Sequence, residues 1–195
     1  MNSAVLFPPR RHVEPDAAVV AGTGLWVFIG VASTLFLLFL SAYVMRMDRS
    51  SDWSQIGMPW QLWFSTALLV AGSVLLQRAS RSPDPVSARQ RLLVGGACAI
   101  GFLLVQLWGW QVLQDARVVL VGNPAASFFY VLTTLHGLHV IGGLVGWAIA
   151  LRDPEPWRIA LCARYWHFLL AVWIVLFGAL GWLTPDVVNF ICGRS

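Results

Sequence analysis

The sequence predicts an all-α, polytopic membrane protein built as a bundle of five transmembrane helices. Of its 195 residues, 58% are hydrophobic and only 11% are charged, and the mean hydropathy is +0.71. Soluble domains carry about 25% charged residues, so lipid is the expected solvent of most of this chain. Five apolar segments reach the length of about 20 residues that a spanning helix needs. The five predicted spans cover residues 22–46, 59–78, 90–113, 124–151 and 160–183.

Prolines and a polar cap mark several of the predicted helix ends. Pro59 stands at a first-turn position of the second span, and Asn123 followed by Pro124 combines a cap with a first-turn proline. The fifth span stops before Pro185.

The spans define one domain, flanked by two shorter segments. We expect a cytoplasmic N-terminal segment over 1–21, the helical domain over 22–184 and a short outer tail over 185–195. Residues 1–20 hold prolines and charges with no uninterrupted apolar core, unlike a cleavable signal.

The arginines predict how the chain is oriented. All thirteen basic residues are arginine, and they flank the apolar spans, which argues against a nucleic-acid partner. Successive loops lie on alternate sides of the membrane. Nine arginines lie on the same side as the N-terminal segment, and four lie on the opposite side. The nine are Arg10, Arg11, Arg78, Arg81, Arg89, Arg91, Arg152, Arg158 and Arg164, and the four are Arg46, Arg49, Arg117 and Arg194. The positive-inside rule therefore predicts a cytoplasmic N-terminus and an outer C-terminus.

The three cysteines are far apart in the sequence. Cys98, Cys162 and Cys192 form neither a CxxC pair nor a zinc pattern. Cys98 and Cys162 fall in or beside apolar spans, where cysteine usually acts as a small hydrophobe.

The fourth span has two different faces. At about 100° per residue, His136, His139, Gly143 and Gly146 fall on one side of the helix. A GxxxG step from Gly142 to Gly146 allows close helix packing there. A bulky, lipid-like face opposes it, formed by Leu138, Ile141, Val145 and Ile149. Because polar groups facing hydrocarbon are costly, both histidines are expected to face protein.

Several roles remain open for these histidines. Haem ligation fits poorly, because His136 and His139 share one helix and His167 of the fifth span lies at a different depth. A metal site or a proton relay would need more imidazoles or carboxylates, and no Asp or Glu lies inside a span. The remaining interpretation is structural, with the imidazoles hydrogen-bonding to neighbouring helices or to a lipid headgroup.

The fifth span also shows two stripes. We expect the small stripe, which includes Ala171 and Ile174, to meet another helix, and the bulky stripe, which includes Trp173, to fill a groove or contact lipid. Near its start stand four residues that predict a phosphate-headgroup pocket, with an ordinary aromatic anchor as the alternative. They are Arg164, Tyr165, Trp166 and His167.

Two stretches resemble one membrane-protein family. "FFYVLTTLHGLHVIGG" at 128–143 and "YWHFLLAVWIVLF" at 165–177 resemble subunit III of the haem–copper terminal oxidases, the cytochrome c and quinol oxidases. "GLWVFIG" at 24–30 is similar to the opening of a helix in that family. The resemblance extends from about Gly24 to Leu183 and fits a short five-helix bacterial form. The residues carrying the motifs are Trp26, Phe28, His136, Gly137, His139, Gly142, Gly143, Gly146 and Trp173.

The resemblance implies an accessory subunit of a proton-pumping oxidase in the bacterial cytoplasmic membrane. It implies that this chain holds no haem, copper or other metal and has no catalytic residue. Its partners would be catalytic subunit I and subunit II, which would hold the haem and copper, together with bound phospholipid and, in some organisms, a larger respiratory supercomplex. The histidines would then serve packing and hydrogen bonding.

The chain departs from the family pattern at three carboxylate positions. The residues at or near those positions are Ala32, Ala160 and Leu170. Their replacement argues against a direct role in proton handling and keeps two related alternatives open, an accessory subunit of a quinol oxidase or of a nitric-oxide reductase. A free-standing channel is a third alternative, and it would predict inverted repeats or intramembrane charges, which the sequence does not show.

Overall fold

The computed structural model describes residues 15–49, 53, 56–116, 118, 123–184 and 187. Most of the predicted N-terminal segment, nearly all of the predicted outer tail and Cys192 lie outside these described residues. Cys98 and Cys162 are free thiols.

Five long helices make up the described fold, and these residues contain no strand. All five are long and apolar enough to cross a membrane, which confirms the predicted architecture. The helices are α1 (Pro15–Arg49), α2 (Trp60–Ser80), α3 (Pro85–Asp115), α4 (Pro124–Arg152) and α5 (Pro156–Trp182). Three of them begin several residues before the predicted spans, because hydropathy marks the hydrocarbon core whereas a helix can continue into the headgroup region.

The helix starts are set by local chemistry. Asn123 caps α4, with its Oδ1 accepting from the Ala125 backbone N–H at 3.0 Å and Pro124 in the first turn, as predicted. Asp84 caps α3 by accepting from the backbone N–H groups of Val86 and Ser87. Pro59 lies one position earlier than predicted: its extended backbone makes it the residue before the first helical turn of α2.

The α2–α3 hairpin is closed by glycines. A Cβ at Gly72 would lie 3.2 Å from the Gly95 carbonyl oxygen, and one at Gly95 would lie 3.0 Å from Leu76. These distances leave no room for a larger side chain at either position, so the two backbones approach closely through small residues.

The bulky stripe of α5 forms the centre of the bundle, where α5 packs against α1, α2 and α4. Trp166 and Leu169 are fully buried, and Trp173 is 1% exposed. Ala171 and Ile174 of the small stripe are exposed within the described chain, so their contact with another helix stays a prediction. Large apolar side chains gain more by filling the space between four helices than small ones do, so the bulky stripe faces inward.

Helix α1 is the most peripheral element. Among the other helices it packs only against α4 and α5, and much of its surface is apolar and exposed. Trp26 of the family motif is 62% exposed on that outer face, whereas Ala32 and Phe36 are buried on the inner one.

Candidate functional site

His136 of α4 lies at the centre of the bundle and is 0% exposed. Its ring is surrounded by aromatic groups, with centroid distances of 6.3 Å to Phe36, 5.8 Å to Phe102 and 5.1 Å to Trp173. Neither ring nitrogen has a hydrogen-bond partner among the described residues. Among these residues the imidazole makes no hydrogen bond to a neighbouring helix, contrary to the expectation, and aromatic rings surround it.

His139 stands one turn further along α4 and is half-buried. Its Nδ1 lies 2.7 Å from the Leu135 carbonyl oxygen of the same helix, and its ring lies against Phe28 and Phe36 of α1 at 5.8 and 5.2 Å. Ala32 lies between these two phenylalanines in sequence and is 4% exposed. The inner face of α1 therefore presents a methyl group at this depth, between two aromatic rings.

Two hydrogen bonds from α5 fix the helices around the histidines. The Trp173 indole N–H donates to Thr66 Oγ1 of α2 at 2.8 Å, and the Tyr165 hydroxyl donates to the His139 carbonyl oxygen at 3.0 Å. Each bond joins α5 to another helix. Because the membrane interior offers these polar groups no water, the two bonds set the register of α5 against α2 and α4.

The glycines of α4 divide into closed and open positions. A Cβ on Gly143 would lie 3.1 Å from both Leu169 and Tyr165, so this glycine is required for the contact with α5. A Cβ on Gly142 or Gly146 would meet nothing within 4 Å, and one on Gly137 would meet only Leu103 at 3.9 Å. The GxxxG step therefore closes no helix contact within the described chain.

The open glycines line a groove between α1, α4 and α5, which we call the α1/α4/α5 groove. It has a volume of about 660 Å³ and is lined mainly by apolar and small residues, among them Gly24, Phe28, Gly142, Gly146 and Tyr165. A long apolar groove on the outside of a membrane bundle has the chemistry to hold a hydrocarbon chain.

One charged residue lines this groove. Arg158 of α5 donates from Nη1 to Asp153 Oδ2 at 2.9 Å, and its guanidinium lies over the Trp157 ring at 5.0 Å. Its Nε is buried and has no hydrogen-bond partner. The side chain is only partly neutralised by the exposed Asp153, which leaves a cationic donor at the polar end of an apolar groove.

The four residues predicted as one headgroup pocket point in different directions, because consecutive helical residues are turned by about 100°. Arg164 is exposed, Tyr165 lines the α1/α4/α5 groove, and Trp166 is fully buried. The His167 ring faces α2, with Nδ1 2.7 Å from Ser73 Oγ and Nε2 2.8 Å from the Gln77 amide. The structure does not bring the four together, and lipid binding at Arg164 stays a prediction.

No cluster of three or more histidine, cysteine, aspartate or glutamate side chains that could hold a metal ion occurs in the described part of the chain. The two histidines of α4 are separated in environment, one enclosed by aromatic rings and the other bonded to its own helix. Sequence reasoning did not single out Arg158. The pair Trp157-Arg158 just inside a helix start was the available signal, because an aromatic ring beside a cation is typical of a headgroup region.

Comparison with known proteins assigns the chain to a family, although no family model matches it. A cytochrome c oxidase subunit 3 of Synechocystis sp. is 30% identical over 183 residues, covering 86% of this chain and 76% of that protein. The protein of the same name from Thermostichus vulcanus is 29% identical over 190 residues, covering 90% and 92%. A probable cytochrome c oxidase subunit 3 of Nocardia farcinica is 26% identical over 178 residues, covering 83% and 86%.

The chain belongs to the cytochrome c oxidase subunit 3 family. This confirms the resemblance carried by the HGLH and YWHF motifs, and it makes the chain a multi-pass membrane subunit of an oxidoreductase complex. Within the subunit 3 fold, four of the motif residues form two pairs with different surroundings. His136 and Trp173 pack in the centre of the bundle, whereas Gly142 and Gly146 line the α1/α4/α5 groove.

Proposed function

We propose that this chain is an accessory, cofactor-free subunit of a proton-pumping cytochrome c oxidase in the bacterial cytoplasmic membrane. It packs on catalytic subunit I, beside subunit II, and those partners hold the haem and copper. The observation that carries the proposal is the 30% identity to a cytochrome c oxidase subunit 3 over most of both chains. The aromatic enclosure of His136 supports it, because that imidazole is committed to packing.

The proposed orientation places the N-terminus in the cytoplasm. The turn before α3 and the start of α5 then lie on the arginine-rich side, which is where Arg81 and Arg158 stand. An impermeant thiol reagent tests this proposal on a variant with one added cysteine in the turn before α3, Ser82→Cys, in a background lacking the native cysteines. Labelling only after the membrane is made permeable supports it, and labelling in cells with an intact cytoplasmic membrane contradicts it.

Purification in mild detergent tests the accessory role. We expect a tagged chain to co-purify with a haem-containing subunit that oxidises reduced cytochrome c, and to be colourless once separated from it. Stoichiometric haem on the separated chain would contradict the proposal. A co-purified complex that oxidises only quinol, or reduces nitric oxide, would replace cytochrome c oxidase by one of the two related alternatives.

The α1/α4/α5 groove supports a second part of the proposal, the retention of a structural phospholipid. An acyl chain would lie along the apolar wall, and Arg158 would bind the phosphate through its guanidinium, whose Nε lacks a partner. Tyr165 is the member of the predicted headgroup quartet that lines this groove. The proposed phospholipid site therefore comprises Arg158 and Tyr165, with Arg164 as the competing arginine predicted from the sequence.

Phospholipid content measures this part of the proposal. We expect Gly24→Leu to lower the tightly bound phospholipid per complex, because its side chain would enter the groove where a Cβ now meets nothing within 4 Å. Gly30→Leu is the matched control, since Gly30 is equally open on the same helix and does not line the groove.

Arginine variants identify the headgroup site. Arg158→Gln should release phospholipid during detergent washing, whereas Arg164→Gln should retain it. Mass spectrometry of the extracted lipid provides the measurement. Release from Arg164→Gln together with retention by Arg158→Gln would place the headgroup at Arg164, as predicted from the sequence. Equal retention in both variants would contradict headgroup binding by either arginine.

A further inference from the structure

The α1/α4/α5 groove opens beside a short turn that carries charges of both signs. This turn joins α4 to α5, and residues 152–158 contain two arginines and two acidic residues. They are Arg152, Asp153, Glu155 and Arg158, and their formal charges cancel. Arg158 lines the groove, whereas the other three do not. The turn is therefore neutral as a whole, although it holds separate positive and negative groups.

Two contacts hold the charge of Arg158 at the end of the apolar lining. Asp153 Oδ2 lies 2.9 Å from Nη1, and the guanidinium carbon lies 5.0 Å from the centre of the Trp157 ring. The Arg158 side chain is nonetheless 32% exposed, and a guanidinium carries five N–H donors. A second anionic oxygen can therefore bind the same guanidinium without displacing Asp153.

The Asp153 carboxylate extends the row of polar groups away from the groove. Its side chain is 55% exposed and contacts Arg158 without lining the groove itself. The order is thus an apolar wall, then a cation, then an anion. Because exposed ion pairs are weak, Arg158 does not fully commit this carboxylate, and its negative charge remains available to a second cation.

We propose that the α1/α4/α5 groove selects a phospholipid with a zwitterionic headgroup, and that Asp153 sets this preference. In such a lipid a phosphate follows the hydrocarbon and an ammonium follows the phosphate. These charges have the opposite signs to Arg158 and Asp153 and occur in the same order. The phosphate binds the guanidinium, and the ammonium donates to the Asp153 carboxylate.

A headgroup whose only charge is the phosphate, such as phosphoglycerol, lacks a group for Asp153. Its negative charge is attracted by Arg158 and repelled by the neighbouring carboxylate. This inference rests on the proposed retention of a phospholipid and adds the class of headgroup. Complementarity of charge between the headgroup and the Asp153–Arg158 pair is the observation that carries it.

Competition between two lipids in the purified complex tests the preference. The tagged complex is incubated in mixed micelles with equal amounts of phosphatidylethanolamine and phosphatidylglycerol of identical acyl chains. After washing, mass spectrometry quantifies the retained lipids, and the amounts retained by Gly24→Leu are subtracted to count only lipid held by the groove. We expect about two- to fivefold more phosphatidylethanolamine than phosphatidylglycerol, the range that exposed charge pairs provide.

Asp153→Asn should bring this ratio close to one, because a neutral carboxamide neither attracts the ammonium nor repels the phosphate. Glu155→Gln is the matched control. It removes one negative charge from the same turn, at a side chain that forms no ion pair with Arg158, does not cap α5 and does not line the groove. Its ratio should equal that of the wild type.

The possible outcomes separate the two proposals. If the wild-type complex retains no more lipid than Gly24→Leu, retention by the groove fails and the preference fails with it. If lipid is retained but both headgroups are held equally, or phosphoglycerol is held more tightly, the zwitterionic preference is wrong while retention stands. An unchanged ratio in Asp153→Asn, or the same fall in Glu155→Gln, would also overturn the inference, since the preference would not come from Asp153.

Discussion

Glycine serves opposite purposes in two regions of this bundle. In the seams that join α3 to α2 and to α4, glycines are in direct contact with a neighbouring helix: Gly72 meets the Gly95 backbone, and a Cβ on Gly96 would overlap the Trp147 ring. Around the α1/α4/α5 groove, a Cβ added to Gly24, Gly142 or Gly146 would meet nothing within 4 Å. The first group allows helices to close, and the second leaves space for another molecule.

The difference shows that a small residue in a membrane helix can serve either close packing or the formation of a groove. Close packing through glycine gains dispersion energy over a wide contact, so a closed seam is expected to be sensitive to any added atom. An open groove has no such contact to lose within the chain. Substitutions at the two kinds of glycine should therefore separate effects on folding from effects on binding.

Gly96→Ala should have the largest effect on folding. The added methyl group would overlap the Trp147 ring, and the ring can move only by breaking its bond to the Leu92 carbonyl oxygen. We expect a loss of roughly 3 kcal/mol in the free energy of unfolding, combining overpacking with a lost hydrogen bond. Unfolding in mixed micelles, followed by circular dichroism, measures it. Gly101→Ala, where the new Cβ would lie at 3.4 Å from Leu68, is the control on the same helix.

Gly143→Leu should destabilise the chain by roughly 1–3 kcal/mol, because the side chain would press on Leu169 and Tyr165. Gly146→Leu, one turn away, should leave the unfolding free energy within about 0.5 kcal/mol of wild type, as substitutions away from packed sites usually do. The same unfolding assay compares the two. Equal losses in both variants would mean that the closed and open positions do not differ, and the comparison would fail.

His136→Phe should have a smaller effect, within about 1 kcal/mol, because replacing an unsatisfied polar group by an apolar one of similar shape is often neutral. The imidazole makes no hydrogen bond within the described chain that the phenyl ring would lose, and its neighbours Phe36, Phe102 and Trp173 are aromatic. Equilibrium unfolding of the purified variant measures the change. A loss well above about 2 kcal/mol, the size of an interaction with a buried polar partner, would show that the imidazole has such a partner in the native protein.

Asp84→Asn, which changes the N-terminal cap of α3, should have the smallest effect on stability, and that effect should depend on pH. The Ser87 hydroxyl at 2.6 Å, and then the Ser87 and Val86 backbone N–H groups, hold the pKa of this carboxyl below its ordinary value. A lowered pKa in the folded state means that the stabilisation is present above the unfolded pKa and is lost as the pH falls through the folded one. Melting temperatures of wild type and Asp84→Asn, measured from neutral to acidic pH, should converge at the acidic end. A constant difference at every pH would contradict this account.

The sequence determined the number of helices and the class of the protein. Hydropathy suffices for both, because each span must satisfy its own backbone hydrogen bonds and must present apolar side chains to lipid. It also placed Leu138, Ile141, Val145 and Ile149 on one exposed face of α4, since a helical repeat fixes which residues share a side. The motifs around His136 and Trp173 were sufficient to identify the family.

What fills the space between the helices depends on how they pack against one another. Which stripe of α5 faces inward, which glycines close a seam, and whether His136 meets polar or aromatic groups all depend on side chains from helices distant in sequence. Helical periodicity fixes directions around one axis and carries no information about the neighbour that lies in each direction. For the same reason Arg158 became a candidate binding residue only once α1 and α4 had placed a groove beside it.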